Sequence, residues 1–69
     1  MKNNNFRFVN GWRLSFVYRR LADGHSWNII IGVNAEGKRY MFSRHLRYDD
    51  AVWRMNVIDP DSCQYTPLN

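Results

Sequence analysis

Cysteine, proline and long apolar runs are scarce in this chain of 69 residues, and each scarcity excludes something. Cys63 is the single cysteine, so no disulfide can close within the chain, and neither histidine stands beside a thiol cluster that would hold a structural metal. Apolar runs such as Ile29–Ile31 are far too short to span a bilayer, so no membrane partner is expected. The unpaired thiol and the lack of a signal-peptide pattern together suggest a reducing, cytoplasmic setting. The two prolines, Pro60 and Pro67, fall in a stretch, 59–69, that reads as an extended tail. There is no Walker loop, no GxGxxG and no metal-ligand spacing, so no cofactor is expected.

The chain is rich instead in aromatic bulk and positive charge. Three Trp, four Tyr and four Phe offer roughly 150–250 Å² of burial each, enough for a few of them to fill a small core. That matters because a domain this short buries only about 60% of its unfolded surface, and self-association as a homodimer is the other available support. Ten Lys+Arg against six Asp+Glu give a net charge of +4, and eight of the ten cations are arginines. Arginine suits flat, bidentate contact with phosphates and carboxylates better than lysine does. The balance points toward nucleic acid, or a protein with an acidic surface, as partner.

Alternation locates the strands. Trp12, Leu14, Phe16 and Tyr18 alternate with Arg13, Ser15, Val17 and Arg19, a period of two. Ala22-Asp23-Gly24 breaks that pattern with turn chemistry. A second strand sets Trp27, Ile29, Ile31 and Val33 against Asn28, Ile30 and Gly32, and a third sets Tyr40 and Phe42 against Arg39, Met41 and Ser43. Asn34-Ala35-Glu36-Gly37 reads as the hairpin loop between them. A loop of four residues sets Ile31 opposite Tyr40 and Ile29 opposite Phe42, collecting the large apolar groups on one face. A loop of three sets Ile31 opposite Met41 and scatters them, so four is expected. The other face then carries Arg13, Arg19 and Arg39, with Lys38 at its rim. An earlier hairpin, Val9-Asn10-Gly11-Trp12, would pair Phe8 with Arg13 and Phe6 with Ser15, bringing both phenyl rings onto the basic face.

An aromatic sheet face needs a cover, and residues 48–58 supply the candidate. Asp49 and Asp50 suit the first turn of a helix, Pro60 bars its continuation, and Ala51, Val52, Met55 and Ile58 form one stripe with Trp53 and Val57 beside it. The same segment also alternates as Trp53, Met55 and Val57 against Arg54 and Asn56, which fits a fourth strand. The expected fold class is therefore α+β. It is a three-stranded antiparallel β-meander with a short C-terminal helix on one face, or a four-stranded one. One domain over 1–69 is expected, with 1–5 as a frayed N-terminus and 6–58 as sheet plus helix.

Converging titratable groups are missing, so catalysis is not expected. His25 falls in a turn and His45 in an arginine-rich run, neither near a nucleophile; both read as ordinary exposed side chains. Asp49 and Asp50 diverge by about 100° on a helix and make no metal pair. Cys63 reads as an incidental thiol. The informative stretch is Lys38–Arg47, in which Lys38, Arg39, Arg44 and Arg47 interleave with Tyr40 and Phe42. Nucleic-acid binders combine cations for phosphates with flat groups for bases in this way. The plainer alternative is that Tyr40 and Phe42 are core and the arginines a solvated rim.

Trp27-Asn28-Ile29-Ile30-Ile31, Gly37-Lys38-Arg39 and Asp49-Asp50-Ala51 succeed one another in an order that resembles the AP2-like and integrase arm-type DNA-binding domains. The likeness is one of layout over roughly residues 12–57; Ser43–Arg47 departs from the usual pattern before the helix. The resemblance implies a three-stranded sheet docked in the DNA major groove, with Arg13, Arg19 and Arg39 as contacts. Two functions are expected. The first is a non-catalytic nucleic-acid-binding module using Arg13, Arg19, Lys38, Arg39, Arg44 and Arg47. The second is a small phage or mobile-element accessory protein that binds and inhibits a host protein or nucleic-acid-handling complex. Its interface would include Phe6, Phe8, Tyr48 and Tyr65, since surplus aromatics and arginine are the common anchors of interfaces.

Overall fold

Asn10-Gly11 is the simplest element to explain. Both residues take positive φ, 51° and 82°, as a two-residue hairpin turn requires, and they join β1 (Phe6–Val9) to β2 (Trp12–Arg20). Phe6 pairs with Ser15 and Phe8 with Arg13, as the alternation implies. β3 (Ser26–Val33) and β4 (Arg39–His45) come next in antiparallel order, then α1 (Tyr48–Val57) and a final short strand, β5 (Thr66–Pro67). The computed structural model describes residues 6–68, so the expected fraying of residues 1–5 lies outside it. The sheet is an open antiparallel meander of five strands in the order β1-β2-β3-β4-β5, not of three or four. The extra strands are the early hairpin and the end of the tail. Residues 48–57 are helix, which removes the fourth-strand reading of that segment.

The expected loop between β3 and β4 is corrected. Asn34 N–H donates to the Lys38 carbonyl at 3.0 Å and Gly37 N–H to the Asn34 carbonyl at 3.0 Å, which leaves three residues in the loop. Gly37 supplies the left-handed position at φ 84°, and Asn34 Oδ1 accepts the N–H groups of Glu36 and Lys38 at 3.0 and 2.9 Å. Local hydrogen bonding therefore overrides the grouping of large side chains. Ile31 lies opposite Met41 and Gly32 opposite Tyr40. β3 is consequently turned over: Asn28, Ile30 and Gly32 face the helix, while Trp27, Ile29, Ile31 and Val33 share the face of Arg13, Arg19 and Arg39.

A bulge completes the rearrangement. The register shifts after Ile31–Met41, so that Ile30 pairs with Ser43 and Ile29 with Arg44, with Phe42 as the extra residue. Without it Arg44 would pair with Asn28 and point toward the helix; with it Arg44 joins the opposite face.

On the helix side the core consists of Leu14, Ile30, Met55 and Ile58, with Val9, Trp12, Phe16, Phe42 and Cys63 packed against it. Full burial of a side chain such as Leu14, Ile30 or Ile58 contributes roughly 1.5–3 kcal/mol. Ala51, Met55 and Ile58 are the buried edge of the predicted helical stripe, and Trp53 and Val57 point outward. The helix end is tied down by Arg7, whose Nη1 donates to the carbonyls of Met55 at 2.7 Å and Ile58 at 2.8 Å. A cation here meets both the unpaired carbonyls and the negative end of the helix dipole. The tail is not extended coil throughout: Pro60 is buried, Tyr65 packs on Trp12, Tyr40 and Phe42, and Leu68 N–H donates to the Arg39 carbonyl at 2.9 Å.

Candidate functional site

The sheet face away from the helix is a grid set by the strand register. One row runs Phe8–Arg13–Val33–Arg39, and the next Phe6–Ser15–Ile31–Met41. Beyond these lie Val17–Ile29–Arg44 and then Arg19–Trp27. Neighbouring strands are about 4.8 Å apart and successive rows about 6.6 Å, so the arginines enclose an apolar middle. Arg13, Arg19, Arg39 and Arg44 are all exposed. Among the described residues no helix lies over this face. Ile29 and Ile31 are nevertheless only 4% and 7% exposed. Val17, Leu21, Met41 and Leu68 line the same depression as these two isoleucines, together with the exposed Arg19 and Arg39. Val17, Ile29, Ile31 and Met41 floor this depression of about 260 Å³, with Arg19, Arg39 and Leu68 around it.

Two aromatic groups carry cations. The Arg44 guanidinium sits 4.7 Å from the Trp27 ring centre, and that of Arg13 sits 5.6 Å from the ring centre of Phe6. Trp27 is held from below by Asp23, which accepts its Nε1–H at 3.0 and 3.3 Å and the His25 backbone N–H at 2.9 Å. The His25 N–H above all holds the Asp23 carboxyl below its ordinary value of 3.8; desolvation opposes it, and the Trp27 indole and the charges of His25 and Arg44 add to the lowering. Phe6 and Phe8 are 53% and 76% exposed, so they stand on the basic face without covering it.

Charge is segregated by element. Among the described residues no strand contains an aspartate or glutamate. Asp23 and Glu36 lie in loops, Asp49 and Asp50 on α1, and Asp59 and Asp61 after it. The arginine-rich face therefore has no carboxylate rising from its own strands.

The other expected site residues do not converge. Lys38 closes the β3–β4 loop and Arg47 is the N-cap of α1, so they flank opposite ends of β4, more than about 20 Å apart along a strand of that length. Lys38–Arg47 is thus two ends and an edge, with only Arg39 and Arg44 on the face. Tyr40 and Phe42 turn to the helix side, where they pack with Trp12 and Tyr65 at centroid distances of 4.9–5.5 Å. Tyr65 belongs to that cluster and Tyr48 packs on Phe16 at 5.6 Å. The expected interface of Phe6, Phe8, Tyr48 and Tyr65 therefore divides between opposite faces. Trp27, Ile29, Ile31 and Met41, which do line the open face, are absent from the site expected from sequence; the acid-Gly end of the loop is the signal that points to them.

His45 also departs from expectation. It faces the helix side and is half-buried, with Nε2 3.0 Å from Ser43 Oγ. Burial, aided by Arg54 and opposed by Asp50, pushes its pKa below the ordinary 6.5. His45, Asp50, Trp53 and Arg54 line a separate cleft of about 280 Å³. Cys63 is partly buried, which raises its thiol pKa above the ordinary 9.0. Among the described residues no helix is long and apolar enough to cross a membrane. No family model, no curated protein and no solved structure matches this chain, so a reading of the site rests on its own residues.

Proposed function

We propose that this protein is a non-catalytic nucleic-acid-binding module whose contact surface is the open sheet face. The observation that carries the reading is the enclosure of an apolar floor by Arg13, Arg19, Arg39 and Arg44, with no carboxylate on any strand among the described residues. Four guanidiniums on a rigid sheet are suited to bind phosphates bidentately, and the flat and aliphatic groups between them suit sugars and bases. Arg7 is excluded from the set because its guanidinium is committed to the helix end.

The test is binding measured against salt. If all four arginines neutralise phosphates, the slope of log K against log salt is about −2.8 for a single strand and −3.6 for a duplex. Replacing Arg13, Arg19 and Arg39 together with alanine should flatten the slope to about −0.7 for a single strand or −0.9 for a duplex and abolish binding near about 150 mM salt. Absence of binding to DNA or RNA of either strandedness at about 50 mM salt refutes the reading.

One observation favours a second reading, a protein-binding accessory. Trp53 is 65% exposed and, with Val57 one turn later, forms an apolar patch on the outer side of α1. Exposed Trp is a common interface anchor. A pull-down in which Trp53→Ala loses a specific protein, with salt-insensitive binding, would move the assignment to that surface.

A further inference from the structure

The nucleic-acid reading leaves open which form of strand the face takes, and the geometry bears on that choice. A duplex presents its base edges in a major groove about 12 Å wide, which admits a helix or a two-stranded ribbon. The described molecule measures 34 × 33 × 20 Å, and its open face is four strands wide before β5 is added. β1 lies beside β2 and raises Phe6 and Phe8 from the same face as the arginines. These rings extend the face beyond the two-stranded ribbon that a major groove admits, and they carry no polar atom that could contact a phosphate. Phe8, at 76% exposed, offers most of its ring surface to a planar apolar group. Such a group is buried inside a duplex and accessible in a single strand.

The floor of the face supports the same conclusion. The depression over Val17, Ile29, Ile31 and Met41, at about 260 Å³, has room for one heterocyclic ring system. Arg19 and Arg39 border it, so a base seated there would have its flanking phosphates within reach of guanidiniums. Trp27 with Arg44 over it offers a third planar site. Stacking platforms separated by cations are the arrangement by which proteins hold single strands without reading sequence.

We propose that the open face selects single-stranded over duplex nucleic acid, stacking bases on Phe6 and Phe8 and seating one in the Val17–Ile29–Met41 depression. This rests on the nucleic-acid reading above. The test is fluorescence anisotropy at about 50 mM salt with labelled oligo(dT) and oligo(U) of about 12 nucleotides and a mixed-sequence duplex of the same length. The wild type should bind the single strands at least tenfold more tightly than the duplex. The double variant Phe6→Ala/Phe8→Ala should lose roughly tenfold or more in single-strand affinity while duplex affinity changes less than about threefold. Phe6→Tyr/Phe8→Tyr keeps both rings and should bind single strands as the wild type does; melting curves confirm that each variant is folded. Equal affinity for both forms, or unaltered single-strand binding by the folded alanine variant, overturns the selectivity and leaves the basic-face reading in place. No binding to either form overturns both.

Discussion

Replacing Gly32 with alanine adds one methyl group at the point where the sheet register is decided. In the observed register Gly32 is buried on the helix side, between Leu14 on β2 and Tyr40 on β4. A Cβ there would lie 3.0 Å from Leu14 Cδ2 and 3.0 Å from Trp12 Cε3, and closer still to the Phe42 ring edge. All three contacts are side-chain atoms that would have to shift together, Leu14 from a fully buried site and Trp12 and Phe42 out of their edge-to-face pair at 5.1 Å. Overpacking of this kind costs about 1–3 kcal/mol. The lowered entropy of the unfolded chain with alanine returns about 0.4–1 kcal/mol. The expected net loss is centred near about 1.3 kcal/mol, a fall in Tm of roughly 5–10 °C for a domain of this size. Circular-dichroism melting measures it. Phe42→Leu in the same chain should relieve the clash, so the double variant should be more stable than additivity predicts by at least about 0.5 kcal/mol. With a four-residue loop Gly32 would stand on the open face, where an added methyl meets solvent. A Gly32→Ala protein that melts at or above the wild-type temperature would therefore refute the register, and with it the composition of the open face.

Arg7→Leu should lower the urea midpoint by the equivalent of about 2–3 kcal/mol, because two helix-end carbonyls lose a charged donor; a change below about 0.5 kcal/mol would show that Arg7 is a free surface cation. Asp23 has a lowered folded pKa, so the stability it contributes is present above 3.8 and disappears as pH falls through its folded value. Acid titration should shift the Trp27 indole N–H resonance in that range, and Asp23→Asn should remove the transition. His45 also has a lowered folded pKa, and its neutral form is the one the fold accepts. Stability should be complete above pH 6.5 and decline as pH falls below it, with His45→Gln flattening that part of the melting profile.

The parts of the fold legible in sequence are those fixed by neighbours along the chain. Asn10-Gly11 announces its hairpin and thereby the pairing of Phe6 and Phe8, and Asp49, Asp50 and the Ala51–Met55–Ile58 stripe announce α1. The facing of β3 escapes a reading that weighs apolar clustering above loop chemistry. Yet Leu21-Ala22-Asp23-Gly24 and Asn34-Ala35-Glu36-Gly37 share an Ala-acid-Gly ending. Both fold as a turn ending in a left-handed glycine, at φ 87° and 84°. With isoleucine at three successive positions, β3 can bury either side, so only such local hydrogen bonds distinguish the two facings. β5 has no period to detect in two residues, and the Phe42 bulge leaves no mark in alternation beyond an apparent error of one. The arginines at 13 and 19 share a face because β2 alternates without interruption, and Arg39 joins them from the start of β4; Arg44 needs the bulge.

That extra residue also bears on how separate copies of the chain behave toward one another. β5 pairs with only Tyr40 and Met41, so among the described residues the rest of the β4 border meets no strand. A flat, unoccupied border is a template on which another molecule can lay its own backbone, and assembly of that kind propagates without limit. At Phe42 the spacing of N–H and C=O groups falls out of step, and a foreign strand extended past that point would lose its ladder. Arg44 stands two positions on and places a charge where a second identical chain would bring another. The insertion that completes the arginine set thus also makes this border a poor seed for aggregation.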